Sequence, residues 1–204
     1  GFEVMNALSL ELVRRHFPQI AQPLAPAPWT VLIEQSDSES AAHATAMFEA
    51  LLEAALERGL IEDAAVASSL AQSQQMWHLR ESISLAQAEE GLNVKHDISL
   101  PVSRVAAFVA STDAALAAAV PGARLVDFGH LGDGNLHYNV QAPEGVAADR
   151  FLREIQVGLD DREAAQATLK RAWEMQSELS GANSIAAAEA ITDIDITASE
   201  LLTE

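Results

Sequence analysis

The hydrophobic and polar positions along the chain predict an alternation of helices with short strands. Apolar residues at helical spacing indicate a first helix, and a cluster of prolines follows it as an extended connector. Short apolar runs indicate strands, and longer Ala-rich or acid-capped runs indicate helices. In chain order the predicted elements are helix 4–16, strand 29–33, helix 36–58, strand 64–70, helix 72–90, strand 94–100, helix 101–120, a hairpin around 129–140 and helix 146–156.

This order of elements limits the fold class. Helices that alternate with strands usually indicate a parallel sheet. The hairpin and a repeated strand–helix–strand half favour instead an α+β fold, with an antiparallel sheet, helices on one face and two duplicated ferredoxin-like units. We expect one domain over residues 1–156. Residues 157–204 are acidic and Ala-rich, which predicts a helical or partly disordered tail.

The hairpin carries the most informative chemistry. Residues 129–140 read Gly-His-Leu-Gly-Asp-Gly-Asn-Leu-His-Tyr-Asn-Val, so His130 and His137 flank a turn rich in glycine. The turn brings both imidazoles to one end of the sheet, and imidazole is the commonest protein ligand for zinc. Two histidines are fewer than zinc normally takes. A hairpin whose histidines only form hydrogen bonds therefore stays open as the alternative.

Two further positions carry cationic groups in a chain that has few of them. Arg80 and Ser84 are four residues apart on a predicted helix, where an arginine fork and a hydroxyl suit a carboxylate. The alternative is an Arg80 paired with a surface acid such as Glu81 or Glu89. Lys95 opens a predicted strand, and a lysine at that position is usually just solvated.

Several segments together resemble the C-terminal, substrate-binding domain of FAD-linked oxidases, the group of D-lactate and D-2-hydroxyglutarate dehydrogenases and the glycolate oxidase flavin subunit. The hairpin run Gly-His-Leu-Gly-Asp-Gly-Asn-Leu-His is similar to the signature of that family. The resemblance extends over roughly residues 2–155. Its other segments are Phe2-Glu-Val-Met, Trp29-Thr-Val-Leu-Ile-Glu, Trp77-His-Leu-Arg-Glu-Ser-Ile-Ser and Lys95-His-Asp-Ile-Ser-Leu-Pro.

The resemblance implies a function and a set of site residues. It implies a FAD-dependent oxidoreductase that passes a hydride from a small D-2-hydroxy acid to flavin. Under it, Arg80, Ser84 and Lys95 bind substrate carboxylate, and Asn139 hydrogen-bonds the substrate. For Lys95 the resemblance leaves two roles open, neutralising the second carboxylate or the flavin-side anion. His130 and His137 become ligands of a divalent metal such as zinc. His96 is interpreted as structural.

The chain also departs from the family pattern. Relatives carry Ser-Ala-Glu-His-Gly-Ile-Gly after the hairpin, where the Glu is a metal ligand and the His is the proposed base. Here the most similar segment is Ser184-Ile-Ala-Ala-Ala-Glu-Ala-Ile, which makes Glu189 a weak candidate for the metal ligand. No histidine follows His137. No residue is therefore predicted to be catalytic.

The chain also shows no glycine-rich phosphate loop. We expect FAD to be bound mainly by a separate N-terminal domain and this chain to be inactive by itself. Two alternatives stay open: a non-catalytic remnant α+β domain for metal or anion binding or for assembly, and an unrelated ferredoxin-like dimer.

Charge and composition exclude several other classes. The net charge of −18 argues against nucleic-acid binding because a polyanion would be repelled. The absence of cysteine excludes disulfides and thiolate metal sites. No apolar run reaches the length of a membrane span and no basic-then-apolar leader opens the sequence, so we expect a cytoplasmic protein. A homodimer is left open.

Overall fold

The computed structural model of the chain describes residues 1–146 and residue 151. In this part of the chain, six strands form one antiparallel sheet with the order β2-β1-β5-β6-β3, and β4 also pairs with β6. The elements are β1 (Phe2–Asn6), α1 (Ala7–His16), β2 (Trp29–Ile33), α2 (Ala41–Glu57), α3 (Leu70–Glu81), α4 (Ile83–Glu90), β3 (Asn93–Val94), β4 (Asp97–Ser99), α5 (Val102–Ala119), β5 (Arg124–His130), a 3₁₀ turn (Leu131–Asp133) and β6 (Asn135–Gln141).

The chain divides into two compact units. The first comprises Gly1–Val102 and Arg124–Gln141, and the second comprises Ser103–Ala123 and the residues from Ala142 onward. The whole sheet and all six predicted site residues belong to the first unit. In the second unit, α5 contributes the buried residues Val105, Phe108 and Val109.

The core of the first unit lies between the sheet and helices α1, α3 and α4. Met5 of β1 and Phe128 of β5 are paired, so their side chains share one face of the sheet. The buried cluster consists of Met5, Leu12, Val13, Leu79, Ile83, Ala86, Val126 and Phe128. Except for Ala86, each such side chain stabilises the fold by about 1.5–3 kcal/mol through burial of apolar surface. The predicted α+β class is confirmed, whereas this single sheet does not confirm duplicated ferredoxin-like units.

The first predicted helix is wrong at its start. Residues 4–6 belong to β1, which pairs antiparallel with β2 along its whole length. The helix begins only at Ala7 because the Asn6 side chain caps it, accepting a hydrogen bond from the Ser9 backbone N–H across 3.0 Å. The apolar spacing is compatible with both structures, and the cap decides between them.

The predicted strand 64–70 is also wrong. These residues form no strand, and α3 begins at Leu70 after Ser69, whose hydroxyl accepts from the Gln72 N–H at 3.3 Å. The segment consists largely of alanine and serine, which have little propensity to form strands.

Two other predicted elements are each divided. Helix 72–90 is interrupted at Ser82, whose hydroxyl donates to the His78 carbonyl at 2.7 Å. Strand 94–100 is interrupted at residues 95–96. There the Tyr138 N–H donates to the His96 carbonyl at 2.8 Å, outside the regular ladder of β3 and β4.

The predicted hairpin is confirmed, and two of its glycines are required by close backbone approach. A Cβ on Gly129 would lie 2.6 Å from the Asn135 carbonyl oxygen. Gly134 has φ +81°, and a Cβ there would lie 1.8 Å from the Leu100 carbonyl oxygen. The same contact is held by a hydrogen bond from the Leu100 N–H to the Gly134 carbonyl at 3.0 Å.

Two predictions fall beyond the described part of the chain. Helix 146–156 lies outside it except for residues 146 and 151, and the tail 157–204 lies outside it entirely. Within the residues that are described, no helix combines the length and the apolar character needed to cross a membrane.

Candidate functional site

The strand register places both predicted metal ligands on one face of the sheet. Glu3 of β1 is paired with His130 of β5, and Phe128 of β5 is paired with His137 of β6. Asp97 of β4 is paired with His137 from the other side. Because paired residues and residues two apart in a strand share a face, all five side chains lie on the face that carries the helices.

Each of the two histidines is in contact with a carboxylate through Nδ1. His130 Nδ1 meets Oε1 of Glu3, and His137 Nδ1 meets Oδ1 of Asp97. A carboxylate that accepts the Nδ1 proton leaves the lone pair of a neutral imidazole on Nε2. This is the arrangement that orients histidine ligands in metal sites, with the tautomer assigned from the hydrogen-bond network.

Arg80 enters the same face from helix α3. It is 9 % exposed, and its Nε donates to Oε2 of Glu3 at 2.7 Å. Its guanidinium carbon lies 4.9 Å from the centroid of the Phe128 ring, which in turn lies 4.8 Å from the His137 ring. The acid paired with Arg80 is therefore a buried residue of β1, and the alternative of a surface acid such as Glu81 or Glu89 is wrong.

The outer end of the Arg80 guanidinium stays available. Within residues 1–146 and residue 151, neither Nη atom forms a hydrogen bond, and neither is fully buried. A guanidinium held at Nε can still present its two Nη groups as a fork to a carboxylate.

Asn139 is close to the two histidines in sequence but is committed to internal contacts. It is 3 % exposed and follows His137 on the same face of β6. Its Nδ2 donates to Oε1 of Gln87 at 2.9 Å, and its Oδ1 accepts from the His96 N–H at 3.2 Å. The structure thus uses both ends of this amide to hold β6, and its substrate contact stays a prediction.

Ser84 and Lys95 are not brought into contact with Arg80. Both are exposed, Ser84 on α4 and Lys95 between β3 and β4. In the described part of the chain, neither side chain forms a hydrogen bond or an ion pair. Their roles in substrate binding therefore stay predictions.

His96 makes contacts different from those of His130 and His137. Burial lowers its pKa, against the opposing effects of its hydrogen bond to the Tyr138 carbonyl and of the negative charge of Asp97. A ring that stays neutral beside a carbonyl at 3.1 Å is consistent with the predicted structural role.

Two of the described side chains can serve as metal ligands, so the ligand set of a metal site is incomplete. His130 and His137 offer two oriented imidazoles, but the described residues contain no group of three or more His, Asp or Glu that could hold a metal ion. The third candidate, Glu189, lies outside the described residues. An open depression of about 250 Å³ adjoins this edge, lined by Gly1, Phe2, Glu3, His130, Gly132 and Asp133.

Sequence reasoning missed the two carboxylates that organise the site. Glu3 is the one charged residue in the strand Phe2–Asn6, and its position two residues before the buried Met5 could have placed it on the core face. Asp97 alternates with Lys95 in sequence, but its pairing with His137 depends on the strand register.

These features define an α+β domain with an oriented arginine and two oriented imidazoles on one sheet face. The family model "FAD linked oxidases, C-terminal domain" matches residues 1–181 of the chain. The chain therefore belongs to this family, and the predicted resemblance is confirmed. The match extends beyond residue 156, and the predicted domain boundary there stays a prediction.

The curated relatives of the chain include D-2-hydroxyglutarate dehydrogenases. The chain is 39 % identical over 143 residues to the mitochondrial D-2-hydroxyglutarate dehydrogenase of Rattus norvegicus, which covers 70 % of this chain and 26 % of the relative. It is 38 % identical over 153 residues to the D-2-hydroxyglutarate dehydrogenase of Xanthomonas citri pv. viticola, covering 74 % of this chain and 31 % of the relative. The chain thus spans roughly a quarter to a third of the length of these relatives.

Proposed function

We propose that this domain binds a D-2-hydroxy acid of the 2-hydroxyglutarate type for hydride transfer to FAD. The family and the enzyme name shared by the relatives support the reaction class. The observation that carries the proposal to this chain is the arrangement on the sheet face: Arg80 presents Nη groups that no described residue hydrogen-bonds, on the same face as His130 and His137.

Each residue has a defined part in this proposal. The Nη groups of Arg80 bind one substrate carboxylate as a fork, with the Ser84 hydroxyl and Asn139 adding hydrogen bonds. Lys95 neutralises the second carboxylate. His130 and His137 hold a divalent metal such as zinc, which when bound would lower the pKa of the substrate hydroxyl and orient the Cα–H bond. The remaining ligand and the base come from elsewhere in the complete protein.

The proposal includes partners and a location. FAD is bound mainly by an N-terminal domain of a longer protein, and the net charge of −18 argues against nucleic acid as a partner. A homodimer is compatible with it. The cytoplasm is the predicted compartment, although several relatives are named as mitochondrial.

The test uses the full-length protein with FAD bound. Anaerobic addition of D-2-hydroxyglutarate, D-lactate and other D-2-hydroxy acids should bleach the flavin absorbance, with the dicarboxylate acting at the lowest concentration. Flavin that stays oxidised with every one of these acids would reject the proposal.

A second candidate is a remnant domain that binds metal without catalysis. It is favoured by the absence of histidine after His137 and of a three-ligand group among the described residues. Micromolar zinc binding that is lost in His130→Ala, together with no flavin reduction, would select this candidate. Zinc binding accompanied by flavin reduction would select the enzyme.

A further inference from the structure

Glu3 accepts hydrogen bonds from two different parts of the site with its two oxygens. Oε2 accepts from Arg80 Nε at 2.7 Å, and Oε1 meets His130 Nδ1. The Glu3 side chain is 1 % exposed, whereas that of His130 is 55 % exposed. A buried carboxylate is tolerated only when charge and hydrogen bonds compensate its lost hydration, and Arg80 supplies the charge.

We infer that Glu3 is a positioning residue that orients the anion-binding arginine and the first metal-ligating histidine together. Through Oε2 it holds Arg80 by Nε, so that the Nη groups stay available to a carboxylate. Through Oε1 it holds the Nδ1–H tautomer of His130, so that Nε2 carries the lone pair. What these two side chains bind rests on the proposed function, but the control of the tautomer does not.

Only a carboxylate can make both contacts. An amide at the same position has one acceptor and one donor group, and the Arg80 guanidinium can only donate. The amide oxygen would turn toward the cation, and its NH₂ group would face His130 Nδ1. That nitrogen would then have to accept, which moves the ring proton to Nε2 and removes the lone pair from the metal side.

The experiment follows the His130 tautomer by ¹⁵N NMR in the full 204-residue chain, labelled at histidine. Spectra are recorded at about pH 8, above the ordinary imidazole pKa of about 6.5. His130 should be in the Nδ1–H form in the unchanged chain and in the Nε2–H form in Glu3→Gln. Glu34→Gln is the matched control, because Glu34 also accepts one side-chain hydrogen bond, from Trp77 Nε1 at 2.9 Å, but lies at an exposed position.

A double variant separates positioning from simple loss of structure. In Glu3→Gln/Arg80→Met the cation is gone, so the amide oxygen is free to accept from His130 Nδ1 and the Nδ1–H form should return. A structural defect would instead persist or worsen in the double variant. Near-UV circular dichroism of each variant shows whether the fold is retained.

Zinc titration of the full-length protein, which supplies the remaining metal ligand under the proposed function, provides the second measurement. Glu3→Gln should weaken zinc binding by about 10- to 100-fold, the usual effect of removing a carboxylate behind a histidine ligand, and Glu34→Gln should not. The inference would be overturned by an Nε2–H form of His130 in the unchanged chain. It would also be overturned if His130 had one and the same tautomer in the unchanged chain and in Glu3→Gln. If the tautomer switches as expected but no form of the full-length protein binds zinc, the positioning by Glu3 stands and the metal part of the proposed function fails.

Discussion

Arg80 on helix α3 and Glu3 on strand β1 form a buried ion pair, with 2.7 Å between Nε and Oε2. The two residues are 77 positions apart in the chain. The pair connects the helix to the sheet beside His130 and leaves the Nη groups of Arg80 unused by the described residues. Its geometry therefore determines which atoms of Arg80 can reach a substrate.

Replacing Arg80 by lysine tests the role of the fork. Lysine keeps the charge but offers a single ammonium group. It therefore cannot both hold Glu3 and bind a substrate carboxylate through two parallel hydrogen bonds. We expect kcat/KM of the full-length protein for D-2-hydroxyglutarate to fall by about 10- to 100-fold, the loss of one charge-assisted hydrogen bond. Arg58→Lys, at the exposed end of α2, is the matched control. Equal activity of the two variants would contradict the assignment.

Replacing Lys95 by methionine tests which carboxylate it binds. If Lys95 neutralises the second carboxylate of a dicarboxylate, the change should lower kcat/KM for D-2-hydroxyglutarate by about 10-fold through loss of a charge-assisted hydrogen bond. D-lactate, which has one carboxylate, serves as the internal control and should be affected less than about twofold. Steady-state flavin reduction with both substrates measures the ratio, and a parallel loss for both would refute this role.

Replacing Gly134 by alanine should strongly destabilise the hairpin. The left-handed backbone alone costs about 1–2 kcal/mol for an L-residue. Here a Cβ would also lie 1.8 Å from the Leu100 carbonyl oxygen, which is backbone and cannot move away cheaply. Gly59 is the matched control, since its φ is +64° and nothing lies within 4 Å of the added Cβ. Urea denaturation should show a loss at least about twice as large for Gly134→Ala as for Gly59→Ala. Similar losses would show that the close approach to Leu100 is absent.

Glu90 contacts two arginines and one histidine near the start of β5. It accepts from Arg15 Nη1 at 2.7 Å, contacts His16 Nε2 at 2.6 Å and accepts from Arg124 Nη1 at 2.5 Å. Burial raises the pKa of Glu90, but the hydrogen bonds from Arg124 and His16 and the charges of Arg124 and Arg15 outweigh it and lower the pKa below its ordinary value.

This lowered pKa gives a pH-dependent stability with a definite sign. The folded state binds the Glu90 proton less tightly than the unfolded state. The stabilisation is therefore fully present above the ordinary carboxyl pKa of 4.5 and is lost as the pH falls through the folded value. Glu90→Gln should lose about 2 kcal/mol of unfolding free energy at neutral pH. The deficit should shrink in acid, as urea denaturation across pH can measure. Glu89→Gln, at the exposed neighbouring position, should show neither effect.

Elements whose signals are local could be predicted from the sequence. Strand β2, helix α5 and the hairpin follow from apolar runs, a proline at a helix start and turn glycines, each of which acts over a few residues. Residues 4–6 could not be assigned correctly, because their apolar spacing fits a helix. Pairing with β2 and the cap at Asn6 place them in a strand instead. The breaks at Ser82 and at residues 95–96 depend in the same way on hydrogen bonds that spacing does not show.

The sequence alone determined the family and supplied three of the candidate site residues. Arg80, His130 and His137 stand in motifs, and a motif needs only residue types at short spacing. Tertiary structure decided the partners. Glu3 reaches His130, and Asp97 reaches His137, because antiparallel pairing brings together residues that are 127 and 40 positions apart. Arg80 reaches Glu3, 77 positions away, because helix α3 packs on the same face of the sheet. Such pairing depends on the register of the whole sheet, set by burial of its core face, and no local pattern encodes it.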